Sequence, residues 1–208
     1  MKVKKRNGEL EEMRYDKITK RISALCHDLN MDYVDPTYIT LKVTQGIYDG
    51  ISTIELDKLA AETAAQMTST HPDYAKLAGR ISVSNLHKST PKKFSQCIKE
   101  LYSFIEPKTG KESTLISDEV YEFVMENKEV IDGAIDMNRD LDFDYFGFKT
   151  LERSYLLKIG KKIVERPQYT YMRVAVGISN FDIKETLRIY DDLSTHFYTH
   201  ATPTLFNA

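Results

Sequence analysis

The 208-residue chain has no tryptophan and only two cysteines, Cys26 and Cys97. No Cys-x-x-Cys pair is present, so the common structural zinc sites have no support. Both cysteines fall at apolar positions of expected helices, beside Leu25 and Ile98, and read as buried free thiols in a reducing, cytoplasmic compartment. No apolar run approaches the roughly 18 residues of a membrane span. The first residues lack the apolar core of a secretory signal. Positive charge is not in excess: 29 Lys and Arg stand against 31 Asp and Glu, for a formal net charge of −2. A general nucleic-acid binder would be clearly basic. Internal repeats and low-complexity tracts are absent too. What is there, 41% hydrophobic and 29% charged residues, is enough to bury a core in one large or two small domains.

Although the chain as a whole is nearly neutral, its start is not. Lys2, Lys4, Lys5 and Arg6 run into Asn7-Gly8, and a second arm, Glu9 to Arg14, leads to Tyr15-Asp16-Lys17. Asn-Gly favours φ > 0 at both central turn positions and predicts a hairpin, with Val3 as an alternating apolar position of its first arm. A hairpin holds its arms about 5 Å apart, so the cations sit on an ordered edge near the next helix. Positive charge, backbone N–H groups and a helix start together suit a polyphosphate. A charge run can equally be a solubilising tail.

Helical periodicity dominates the rest. Ile18, Ile22, Leu25, Cys26 and Leu29 share one helix face, with Asp16 as cap or first-turn acid. Asp35-Pro36 opens a second helix that runs through Ile39, Val43 and Ile47 to Gly50. Ser52-Thr53-Ile54-Glu55 is a capping box for a third, with Leu56, Leu59, Ala60, Ala64 and Met67 inward. His71-Pro72-Asp73 starts a fourth, stopped by Ser89-Thr90-Pro91. Beyond it the spacing predicts helices from Phe94 to Tyr102, from Ser117 to Ile131, from Pro167 through Val176, and after Asp182. It also predicts a turn over 107–110 and a small hairpin around Gly160. Asp136 to Phe148 lacks periodicity and reads as a long, solvated acidic loop. Ala201 to Ala208 reads as a short apolar strand.

Candidate chemistry centres on the cationic arm. Lys5, Arg6 and Lys88 would neutralise phosphates, while Thr53 and Asp57 would offer polar groups to a sugar or base. Asp57 also reads as an exposed first-turn acid that needs no ligand. Other candidates fail. Lys108 to Ser113 lacks the earlier glycine and the Ser or Thr of a phosphate loop. His196 and His200 have no third metal ligand, and Asp136, Asp140, Asp142 and Asp144 lack calcium-loop spacing. No nucleophile–base arrangement stands out, and no metal site is expected.

Val3 to Gly8, Tyr15 to Ile18, Thr53 to Asp57, His71 to Tyr74 and Ser84 to Lys88 together resemble an ATP-cone domain. Tyr145 to Leu157, Glu165-Arg166-Pro167-Gln168 and Thr202 to Ala208 are more distinctive. The whole chain resembles the N-terminal part of the eukaryotic-type large (alpha) subunit of class I ribonucleotide reductase. The resemblance implies a mainly α fold: an ATP-cone of a β-hairpin and four helices over 1–91, and a helical domain with a small hairpin over 92–200. Residues 201–208 would begin a ten-stranded α/β barrel. It implies ATP as activator and dATP as inhibitor, each accompanied by magnesium, at Lys5, Arg6, Glu11, Glu12, Met13, Arg14, Tyr15, Asp16, Lys17, Thr53, Asp57 and Lys88. Thr202 would contact the substrate diphosphate. Partners would be other alpha subunits, joined as dimers and as dATP-induced rings through the cone with Asp16 at the interface, and a small radical-generating beta subunit. The family's redox cysteines would lie beyond Ala208, so this stretch would hold no catalytic residue and be inactive alone. Rival readings are a helical interaction module with a degenerate cone, and an ATP-cone transcriptional regulator, which would need a zinc ribbon that these cysteines cannot build.

Overall fold

A computed structural model describes residues 1–106, 110 and 112–208. Apart from Gly110, the turn expected over 107–110 lies outside the described residues. The chain divides into two compact units, Met1–Leu86 with Leu141–Lys149, and His87–Asp140 with Thr150–Ala208.

The first unit opens with β1 (Lys2–Lys4) and β2 (Leu10–Glu12), antiparallel with Val3 opposite Glu11. The turn differs in detail from the expectation. Gly8 has φ +89° but Asn7 does not enter the left-handed region, and Gly8 N–H donates to Lys5 O at 3.0 Å. Arg6 and Asn7 are therefore the central residues, and Gly8 is the bulge glycine of a longer hairpin loop. The loop carries Arg6 at its tip.

α1 (Tyr15–Ser23), α2 (Pro36–Thr44), α3 (Thr53–Gln66) and α4 (Asp73–His87) follow. Asp35 caps α2 by accepting from Thr37 N–H at 2.8 Å, with Pro36 at the first helical position. Ser52 and Glu55 form the reciprocal capping box of α3. α1 stops short of Leu25 because the buried Arg80 guanidinium takes the carbonyls of Leu25, at 3.1 Å, and His27. Cys26 and Leu29 are buried from the turns beyond the helix. α2 ends at Thr44 rather than near Gly50 because the next residues pair with β1: Gly50 N–H donates to Lys2 O at 2.8 Å and Lys4 N–H to Ile51 O at 2.9 Å. Tyr48 is consequently exposed.

Asp136 to Phe148 is not a solvated loop. Met137–Asp142 is a 3-10 turn, and α8 (Tyr145–Ser154) begins within the stretch, with Asp144 accepting from Gly147 N–H at 2.7 Å as its cap. Gly79 on α4 admits this segment, since a Cβ there would collide with the Phe143 carbonyl.

In the second unit, α5 (Phe94–Tyr102) precedes α6 (Asp118–Glu126), which Ser117 caps. The helix expected through Ile131 breaks at Asn127, whose side chain donates back to Phe123 O at 2.9 Å, and α7 (Lys128–Ala134) continues. β3 (Lys158–Ile159) and β4 (Lys162–Ile163) flank Gly160 at φ +60°. α9 (Pro167–Ile178) is buried along most of its length, and α10 (Ile183–Ser194) is capped by Asp182.

The expected strand at Ala201 to Ala208 is instead a short helix, α11 (Thr202–Asn207). Pro203 suits its first turn, and the buried Arg173 collects carbonyls from its far end, Leu205 O at 3.1 Å and Ala208 O at 2.7 Å. Asp140, another residue expected in solvent, is fully buried. It accepts from Gln168 N–H at 3.1 Å and meets His87 Nε2 at 2.7 Å. Among the described residues no helix is long and apolar enough to cross a membrane.

The polar centre of the second unit is Glu165. It is fully buried and is held by Arg173 Nε at 2.7 Å, Thr170 Oγ1 at 2.8 Å and Leu157 N–H at 3.0 Å. Removing one partner from such a pair strands a charge without water. Arg173→Ala is expected to lower stability by about 3–5 kcal/mol. Urea unfolding followed by tyrosine fluorescence and circular dichroism measures it, and a loss below about 1 kcal/mol, the range of an exposed pair, would contradict this role.

Candidate functional site

Backbone pairing creates the site. β1 bonds to β2 on one side and to residues 49–52 on the other, where Lys2 N–H also donates to Asp49 Oδ1 at 2.6 Å and Lys4 bridges in parallel to Ser52. The hairpin is thereby fixed against the start of α3, and its tip reaches Asp57, one turn into that helix.

Asp57 is only 6% exposed. Its carboxylate accepts both Nε and Nη2 of Arg21, the latter at 2.9 Å, and Arg6 Nη2 at 3.3 Å. Arg6 Nη2 also bonds Asn85 Oδ1 on α4, and Arg21 Nη2 reaches Ser84 Oγ at 3.4 Å. Two guanidiniums thus share one carboxylate, leaving a net positive charge in a cluster largely closed to water. One donor has no acceptor among the described residues: Arg6 Nη1 is buried without a hydrogen-bond partner there. A buried unsatisfied donor costs about 1–3 kcal/mol, and an anion would satisfy this one. At the start of α3, Glu55 N–H goes to Ser52 Oγ at 3.1 Å and Leu56 N–H to Ser52 O at 2.9 Å. The N–H groups of Thr53 and Ile54 belong to the first turn of that helix and contribute to its positive end.

The other expected site residues sort into separate groups. Lys5 pairs with Glu11 at 2.5 Å, and Lys17 pairs with the same carboxylate. Bonds from Lys17 and then Lys5 pull the Glu11 pKa down to about 2. Arg14 holds Asp16 through two bonds, at 2.9 and 3.2 Å, which lowers the Asp16 pKa, and Lys20 stands 3.8 Å from the same acid. Asp16 is a first-turn acid of α1, not its cap. Glu12 and Tyr15 are exposed, whereas Met13 packs against the core. Lys88 is exposed immediately past the last residue of α4. In the second unit, exposed Thr202 begins α11, with Oγ1 3.0 Å from the Tyr155 hydroxyl.

The structure therefore brings Arg6 and Asp57 together and adds Arg21, Ser84 and Asn85, which the sequence reading did not single out as ligand residues. Ser84 and Asn85 lay inside a quoted motif. Arg21 carried no local signal beyond that of a last-turn cation complementing the helix dipole. Among the described residues no group of three or more His, Cys, Asp or Glu could hold a metal ion. Burial raises the Cys26 thiol pKa and raises that of Cys97 well above the usual value.

Two family profiles match the chain, the ATP cone domain over residues 1–89 and the ribonucleotide reductase all-alpha domain over residues 141–208. Over all 208 residues the chain is 56% identical to the ribonucleoside-diphosphate reductase large chain of Neurospora crassa, of which it covers 22%. It is 55% identical to the large chain of Schizosaccharomyces pombe and 54% identical to the large subunit of Danio rerio, covering 26% of each. The chain thus spans roughly a quarter of the length of these curated relatives. With both domains matched in order and more than half of all positions identical, the chain is similar along its whole length to the N-terminal part of ribonucleoside-diphosphate reductase large subunits, and it carries an ATP cone and an all-alpha domain.

Proposed function

We propose that the first unit is an allosteric effector site that takes ATP as activator and dATP as inhibitor. The larger subunit it serves would reduce ribonucleoside diphosphates to deoxyribonucleoside diphosphates. The observation that carries the reading is the buried, unpartnered Nη1 of Arg6 beside a doubly cationic cluster. Arg6 would meet a phosphate directly. Lys5 and Lys17, which share the single Glu11 carboxylate, and Lys88 would supply further charge, and the Thr53 N–H would cap a phosphate oxygen. Asp57 would face the sugar, and Glu12, Met13, Arg14 and Tyr15 would complete the walls. A magnesium ion arriving with the nucleotide would be carried by phosphate oxygens, since the described side chains offer no three-ligand acidic cluster.

The buried cysteines, with thiol pKa values raised by burial, lack the thiolate character that redox chemistry needs, so reduction is assigned to other parts of a full subunit. Thr202 would offer its hydroxyl to the substrate diphosphate. Effector identity would be read out through assembly: dimers of large subunits, dATP-driven rings joined through the cones near Asp16, and a radical-generating small subunit as partner. A ligand can bias these states only by its differential affinity for them.

Calorimetric titration tests the site. ATP and dATP are each expected to bind with micromolar affinity, about −8 kcal/mol. Arg6→Ala and Lys88→Ala are each expected to weaken binding by about tenfold, the value of one charge-assisted hydrogen bond. No heat with either nucleotide would refute the reading and favour a helical interaction module. Light scattering after size exclusion tests the assembly step. The full large subunit is expected to gain mass with dATP, and an unchanged mass would contradict the ring.

A further inference from the structure

We propose that Tyr155 is a positioning residue for the substrate diphosphate: its phenol donates to Thr202 Oγ1 and thereby turns the Thr202 O–H toward a phosphate oxygen. The inference rests on the reading of Thr202 as a contact of that diphosphate.

Thr202 and Phe206 are four residues apart on α11, so they lie one turn apart on the same helix face. Tyr155 lies along that face. Its ring stacks on Phe206, with centroids 5.2 Å apart and planes within 3° of parallel, and its hydroxyl reaches Thr202 Oγ1 at 3.0 Å. Both partners are anchored. Tyr155 N–H donates to Leu151 O at 2.9 Å, which continues the last turn of α8. The far end of α11 is held by Arg173, itself bonded to the buried Glu165, and packs so close to α9 that a Cβ on Gly177 would collide with Ala208. Thr202 is exposed at the open end of this face, and its hydroxyl is held before a ligand arrives.

Either hydroxyl can donate in this pair. A diphosphate decides which. Ionised phosphate oxygens only accept, so Thr202 must give its one hydrogen to the phosphate. The hydrogen between Tyr155 and Thr202 then comes from Tyr155, whose phenol is the more acidic of the two. A hydroxyl that accepts one hydrogen bond is polarised into a better donor for the next. Tyr155 thus sets the direction of the Thr202 O–H and strengthens the bond it gives. The two contributions of this side chain can be separated, because phenylalanine keeps the stack on Phe206 and removes only the hydroxyl.

The test measures steady-state reduction of a ribonucleoside diphosphate by the full large subunit with its small-subunit partner, for wild type, Tyr155→Phe, Thr202→Val and the double variant. Tyr155→Phe is expected to raise KM about three- to tenfold and to leave kcat within about twofold, the signature of lost binding rather than lost chemistry. Thr202→Val is expected to raise KM about tenfold, and the double variant is expected to be no worse than Thr202→Val, since Tyr155 acts through that hydroxyl. Thr202→Ser keeps the hydroxyl and is expected to keep the response to Tyr155→Phe. A role in packing alone would lower the melting temperature and leave KM unmoved. An unchanged KM in Tyr155→Phe, or losses that multiply in the double variant, would overturn the proposal while leaving the Thr202 contact intact. An unchanged KM in Thr202→Val would instead overturn the diphosphate reading of Thr202, and this inference with it. Should Thr202→Val fail to fold, Thr202→Ala takes its place in the cycle.

Discussion

The buried Asp57 carboxylate is the interaction on which the first unit depends. Taking a carboxylate out of water costs several kcal/mol, and that cost is offset only where the partners are close, well directed and numerous. Arg21 from α1 and Arg6 from the hairpin tip meet that need, and their combined charge exceeds that of the acid they neutralise. That excess is what suits the cluster to the anion proposed for it. One buried guanidinium nitrogen is left without an acceptor, in a place a phosphate would fill. On the proposed reading, stability and binding draw on the same groups, and a ligand that satisfies Arg6 would also tighten the packing of the hairpin on α3 and α4.

That cluster exists because a short hairpin is paired on both sides. A two-stranded hairpin is marginal by itself. Here the segment between α2 and α3 supplies a further edge, through Gly50 N–H to Lys2 O and Lys4 N–H to Ile51 O. Val3, on the inward face, is buried in the same core as Ile22, Ile39 and Leu77. The strand is pinned by backbone bonds, the core holds its inward residue, and the loop at its end has few orientations left. Arg6 reaches Asp57 by construction of the backbone rather than by a flexible search, which lowers the entropy cost of binding.

Local chemistry was legible wherever neighbouring residues determine the outcome. Asp35-Pro36, the Ser52–Glu55 box, Ser117 and Asp182 all start helices as their side chains predict, because a cap bonds a backbone N–H two or three residues away. Long-range pairing was not legible. α1 ends early because Arg80, far along the chain, claims the carbonyls of Leu25 and His27. α11 is a helix because Arg173 collects its last carbonyls. Asp140 looked solvated because nothing nearby announces Gln168 and His87 as its partners. The site divides in the same way. Motifs pointed to Arg6 and Asp57, whereas Arg21 was hidden, because a cation at the end of a helix looks ordinary until the carboxylate facing it, 36 residues later, is known.

The central claim is that the Arg6 guanidinium at the hairpin tip is the anion receptor. Side-chain 15N–1H NMR of the arginine guanidiniums, recorded while ATP and then adenosine are added in separate titrations, tests it most directly. The Arg6 Nη resonances should shift and their hydrogens exchange more slowly with ATP, and stay unmoved with adenosine, which lacks the phosphates. Arg6 signals indifferent to ATP while the nucleotide is demonstrably bound would contradict the account.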